Sequence, residues 1–157
     1  MKLTIGSPFA ARLGFWSLTI AGLLFVLGFC LLFTGCSDKP VAPSSSLPAQ
    51  DARNAAKAVA LLTRGQVCAV APTGSMRPTF DSNAMLVTEP VAMAAVHPGD
   101  IIVRTDGVEG RLIVHRVVRI AASGAVTRGD ANGEDDAGFV DDAKLKGRVV
   151  AIVYGAR

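Results

Sequence analysis

The sequence predicts a mainly β protein: a small antiparallel β barrel or sandwich, preceded by one N-terminal membrane helix and a short amphipathic helix. Three observations carry that expectation. Six short apolar segments between residues 66 and 154 are divided by Gly, Pro and Asp breaks. An uncharged apolar run fills residues 13–33. Between the two, residues 51–64 repeat their apolar positions at helical spacing. The chain of 157 residues is long enough for one modest domain plus a tail. Half of it is hydrophobic and only 18% charged, against about 25% in an average soluble domain. Six of the nine aromatic residues fall within the first 33 positions, so the excess apolar character is concentrated there. A net charge of +3, spread evenly, argues against nucleic acid as a partner.

The first element follows from length. The 21 uncharged residues of 13–33 would reach about 30 Å as a helix, the thickness of a bilayer core. Lys2 and Arg12 precede the run and no acid appears before Asp38. The positive-inside rule then keeps the N-terminus in the cytoplasm and places everything after Ser37 on the extracytoplasmic side of the inner membrane. Phe33-Thr34-Gly35-Cys36 resembles a lipobox, which would make residues 1–36 a lipoprotein signal with Cys36 acylated. The Phe three positions before that cysteine, and a run longer than the roughly 7–15 residues of a signal core, favour a retained single-pass anchor in contact with membrane lipid.

Residues 37–49, with three prolines and three consecutive serines, read as an extended, unpacked linker. The domain is expected over 50–157, led by a helix at 51–64. In that helix Ala52, Ala55, Ala56, Val59, Ala60 and Leu62 form one face and Arg53, Lys57 and Arg64 line the other, with Asp51 as N-cap and Gly65 as stop. Strands are expected at 66–71, 84–89, 101–104, 111–120, 125–128 and 146–154. Cys68 is alone in the exported part and reads as a small apolar residue. No nucleotide-binding glycine loop is present, and no cofactor is called for.

One serine occupies a chemically suggestive place. Pro72-Thr73-Gly74-Ser75-Met76-Arg77-Pro78-Thr79 falls between two strands; Gly74 permits a sharp bend and Pro78 prevents a long helix. Ser75 would stand at the mouth of that bend with its own N–H nearby, the hydroxyl and donor that acyl transfer needs. Most Gly-Ser turns are only turns, so the base decides. No lysine occurs between residues 58 and 143, and the histidines are His97 and His115. His97 lies in a Val-His-Pro-Gly turn and reads as surface. His115 lies in the long strand 111–120, where alternation groups it with Arg111, Ile113, Val117 and Arg119, a half-dry setting for a general base. The loop after the fifth strand offers Asp130, Glu134, Asp135 and Asp136 as candidates to orient the imidazole. The hairpin would return Asp130 toward the beginning of the His115 strand. A calcium loop built from Asp130, Asn132, Glu134, Asp136 and Asp141 is the weaker alternative, because Asp135 stands where a glycine is required.

Together these segments resemble the signal peptidase I superfamily of membrane-anchored serine endopeptidases. Gly74-Ser75-Met76-Arg77-Pro78-Thr79 is similar to its S-G-S-M-x-P-T nucleophile box, with Thr73 where serine is common. Pro98-Gly99-Asp100-Ile101-Ile102-Val103 resembles its G-D-I-V strand. Ile113-Val114-His115-Arg116-Val117-Val118 resembles the V-H-R-V-V box of the endoplasmic-reticulum and archaeal branch, which carries His where the bacterial branch carries a Lys base. Thr127-Arg128-Gly129-Asp130-Ala131-Asn132 is similar to T-K-G-D-N-N, Asp136 falls six positions after the first acid, and Lys146-Gly147-Arg148-Val149-Val150 resembles the closing strand. The likeness covers about residues 66–155. It implies Ser75 as nucleophile, His115 as base and Asp130 and Asp136 as acidic partners, without choosing which of them touches the imidazole. It implies exported preproteins as substrates, cut after small residues. An extended substrate is expected to pair with the apolar segment 84–87. Rival readings are a peptidase dedicated to one secretion or pilus substrate, which a long linker would suit, and a non-catalytic lipoprotein-like binding module. A cytoplasmic self-cleaving repressor protease is disfavoured by the missing lysine and the membrane run.

Overall fold

A computed structural model of the chain describes residues 40–106 and 111–157. The expected membrane helix, the lipobox and Cys36 lie outside those residues. Among the described residues no helix is long and apolar enough to cross a membrane.

The described chain forms one α-helix, α1 (Ala49–Thr63), a short 3-10 turn at Met93–Ala95, and six strands, β1 (Gln66–Ala69), β2 (Ala84–Glu89), β3 (Ile101–Thr105), β4 (Leu112–Ala121), β5 (Gly124–Arg128) and β6 (Leu145–Tyr154). They make a single sheet in the order β1-β2-β6-β3-β4-β5, with every neighbouring pair antiparallel. The expected mainly β character, strand number and antiparallel pairing are all present.

Alternation along β2 explains its central place. Ala84 and Leu86 point into a cluster with Met76 and Phe80, whereas Met85 and Val87 point to the opposite face, against Ala56 and Ala60 of α1. Both faces are covered, so β2 is buried almost throughout. It is also paired on both sides, by β1 and β6. Its backbone is therefore committed, and the expectation that 84–87 receives a substrate strand is corrected. A third cluster, with Ile102, Val117, Ala125, Val140 and Leu145, holds β3, β4 and β5 to the loop before β6.

The helix starts two residues earlier than its composition suggests. Pro48 precedes it without a side-chain cap, Asp51 sits in the first turn, and Arg64, at φ 54°, ends it. The buried stripe is Ala52, Ala56 and Ala60, small residues spaced one turn apart that let the backbone lie close to the sheet. Apolar spacing groups Leu62 with that face, and the structure places it elsewhere. It lies about 200° around the helix from Ala60 and is 86% exposed, as Leu61 is at 83%.

The expected linker is also corrected over its described part. The Ser45 hydroxyl donates to the Tyr154 carbonyl at 2.6 Å. The Ala156 N–H donates to the Leu47 carbonyl at 2.7 Å. The Asn83 side-chain amide donates to the Pro43 carbonyl at 3.0 Å, and Ala42 is buried. Proline and serine prevent helix or strand here, but they leave carbonyls and hydroxyls free to bond a neighbouring strand end.

Candidate active site

The nucleophile box is a turn pinned from several sides. Gly74 takes a left-handed φ of 69°, open to glycine without strain. Met76 and Phe80 are buried and fix the turn through the cluster beneath it. The Tyr154 hydroxyl donates to the Thr79 carbonyl at 2.8 Å. From the opposite side the Ala131 N–H donates to the Ser75 carbonyl at 2.8 Å. A side chain at Gly129 would sit 2.7 Å from that same carbonyl oxygen. Glycine is needed there for the acidic loop to approach the serine turn.

His115 is buried on β4. Its Nε2 lies 3.2 Å from Ser75 Oγ and its Nδ1 lies 2.6 Å from Asp136 Oδ2. An ionised carboxylate only accepts, so Nδ1 carries the proton and Nε2 presents its lone pair to the serine hydroxyl. The alternation expected along β4 holds through Val117. A bulge at Val118 then breaks the register with β5, and Arg119 and Ile120 beyond it are both exposed.

The two aspartates separate into different tasks. Asp136 takes the imidazole; the Thr127 hydroxyl donates to its Oδ2 at 2.7 Å, Arg104 lies 3.0 Å from the same oxygen, and its own N–H is held by the Thr127 carbonyl at 2.8 Å. Burial opposes the ionisation of Asp136, but the bonds from His115, Thr127 and Arg104 outweigh it and hold the carboxyl below the usual range. Asp130 does not contact the imidazole. The Arg116 guanidinium grips its two oxygens, Nε and Nη2 each at 2.8 Å, and the Thr79 hydroxyl donates to it. Burial likewise opposes its charge, and Arg116 and Thr79 overcome the penalty. The hairpin brings Asp130 back to β4, but at Arg116, midway along the strand rather than at its beginning. Each carboxylate is committed to a different cation, and among the described residues no group of acids, His and Cys converges as a metal site.

Thr73 stands beside the nucleophile. Its Oγ1 is 3.2 Å from Ser75 Oγ, and the Ser75 N–H donates to it at a long 3.4 Å. A cleft of about 480 Å³ opens here, lined by Ser75 and His115 and mainly by apolar groups such as Val70, Met76, Leu112 and Val114. Cys68 also lines it and is half-buried with a free thiol. His97 is exposed, as its turn suggests.

Sequence reasoning missed Arg104, Thr127, Thr79 and the Arg116 clamp. Only Arg104 left a signal: a lone charge in the apolar strand Ile101-Ile102-Val103-Arg104. The others depend on pairings that adjacency along the chain does not reveal. No protein-family model and no curated protein matches the chain.

Proposed function

We propose that this protein is a membrane-tethered serine endopeptidase of the signal peptidase type, with its sheet as the small β barrel or sandwich of that family. One observation carries the reading: the continuous chain from Ser75 Oγ through His115 to Asp136, at 3.2 and 2.6 Å, at the wall of an apolar cleft. In this reading His115 Nε2 takes the Ser75 proton as the hydroxyl attacks a peptide carbonyl. The developing imidazolium is held by Asp136. The weakly engaged Ser75 N–H and the Thr73 hydroxyl receive the oxyanion. His115 then protonates the leaving amine, and water, activated by the same imidazole, releases the acyl chain.

The edge position of β1 fits an extended substrate. Among the described residues β1 pairs only with β2, and Cys68, Ala69, Val70 and Ala71 line the cleft that leads to Ser75. A peptide strand added to that free edge would carry its carbonyl to the hydroxyl. We infer exported preproteins as substrates, on the extracytoplasmic side of the inner membrane.

The test is direct. Detergent-solubilised full-length protein incubated with an exported preprotein is expected to create one new N-terminus, and Ser75→Ala to lower the rate by several powers of ten. Cleavage by Ser75→Ala at the parent rate would overturn the assignment. No cleavage by either protein would favour a binding module.

A further inference from the structure

Arg104 is an unusual occupant of β3. It is 8% exposed, in a strand whose Ile101 and Ile102 join apolar clusters, and burying a guanidinium is costly unless its charge is matched. A register break with β6 between Val103 and Arg104 alters the local pleat at this residue. Its Nη2 then reaches Asp136 Oδ2 at 3.0 Å, and Nη1 donates to the Thr105 carbonyl at 3.4 Å. Among the described residues Nε is buried without a partner. A buried ion pair that leaves one donor unsatisfied is a poor device for stability. Its position beside the imidazole gives it a different use.

The charges around His115 can be followed element by element. β3 supplies Arg104. On β4 itself Arg116 is spent on Asp130. β5 supplies the neutral Thr127, and its Arg128, with Arg119 of β4, faces Asp135 at 3.6 and 3.9 Å. The nucleophile turn supplies the hydroxyls of Ser75 and Thr73, and its Arg77 is paired with Asp81; Arg111, which lines the same cleft just before β4, is paired with Asp106. Asp136 thus answers two cations through one oxygen, Arg104 permanently and His115 when protonated. With Arg104 in place the carboxylate is already neutralised, and a proton on His115 leaves the buried cluster with a net positive charge. With Arg104 absent, the same proton would complete a neutral imidazolium–carboxylate pair.

We infer that Arg104 is a positioning residue that, through Asp136, keeps His115 unprotonated and so sets the acid limit of the working pH range. The rate arm of the test rests on the peptidase reading above; the titration arm does not. The full-length Ser75→Ala protein in detergent micelles is titrated by NMR at its imidazole carbons. The chain has two histidines, and exposed His97 serves as an internal standard. Replacing Arg104 by Gln is expected to move the His115 titration upward by about one pH unit, with His97 unmoved, and Arg104→Lys to return it to within about 0.3 unit of the parent. On the Ser75 background, the acid limb of preprotein cleavage moves upward by the same amount.

Arg104→Met removes the charge without requiring a polar partner and is read in the same way. An upward shift without any proteolysis would sustain the electrostatic role and sink the peptidase reading. An unmoved His115 titration in both neutral variants would overturn the inference, whatever the activity. Loss of folding in both, with Arg104→Lys intact, would also overturn it by making Arg104 structural.

Discussion

Two aspartates six positions apart look equivalent along the chain and are not. Asp136 bonds the imidazole, whereas Asp130 bonds Arg116 and Thr79. Asp136→Asn can donate its amide to Nδ1 and stabilise the wrong tautomer, so the rate of preprotein cleavage is expected to fall about 10⁴-fold with the fold retained. Asp130→Asn leaves the imidazole's partner in place. Its expected effect is a loss of about 1–3 kcal/mol in unfolding free energy, with cleavage within about tenfold of the parent because Arg116 is half-exposed and can recruit water. Denaturant titration and preprotein kinetics on the two variants separate these outcomes. An equal loss of rate in both would mean that Asp130 also acts on the imidazole. The residues Ser75 and His115 were legible because the absent lysines left few bases to choose from. The choice between the aspartates was not legible, because it depends on where the loop after β5 turns back.

At the level of elements, the close fit of the acidic loop against the nucleophile turn rests on Gly129. A methyl group there meets the Ser75 carbonyl oxygen at 2.7 Å and the Asn132 side-chain amide at 2.8 Å. The carbonyl is backbone and cannot step aside without moving Ser75. Gly129→Ala is expected to lower kcat by about 10²-fold or more, the effect of an ångström-scale displacement of a reacting group. Gly133→Ala, four residues along and with open space around its Cβ position, is the matched control and should leave kcat unchanged. Strand positions were readable because short apolar runs between Gly and Pro breaks have few alternatives. Faces were harder. The Val118 bulge offset an alternation that counting by two assumes, and the leucines of α1 proved exposed because alanines fit closer to the sheet.

For the whole molecule, the buried and half-buried carboxylates set an acid limit on stability. The bond from Arg77 holds Asp81 below the ordinary carboxylate range. Asp130 and Asp136 are held low by their partners against the opposing effect of burial. A carboxyl whose folded value is depressed binds a proton more readily in the unfolded chain. The stabilisation is therefore complete above the unfolded value of about 3.9 and is lost as pH falls below it, through the lower folded values. Thermal melts of Ser75→Ala are expected to hold the same contribution from these groups between about pH 5 and 7 and to fall steeply below about pH 4. A midpoint unchanged down to pH 2.5 would contradict the pairing described here. The chain's composition told which residues pack but not that a proline- and serine-rich stretch would bond to the sheet, since those bonds run from Ser45 and Leu47 to residues more than a hundred positions away. That stretch has a mechanical consequence. Ser45 is bonded to the Tyr154 carbonyl, and the Tyr154 ring ends on the Thr79 carbonyl, four residues beyond Ser75. Tension applied upstream of Ala42 would load the Asn83–Pro43 bond first and then, through Ser45, the end of β6, and through one phenol it would be felt at the nucleophile.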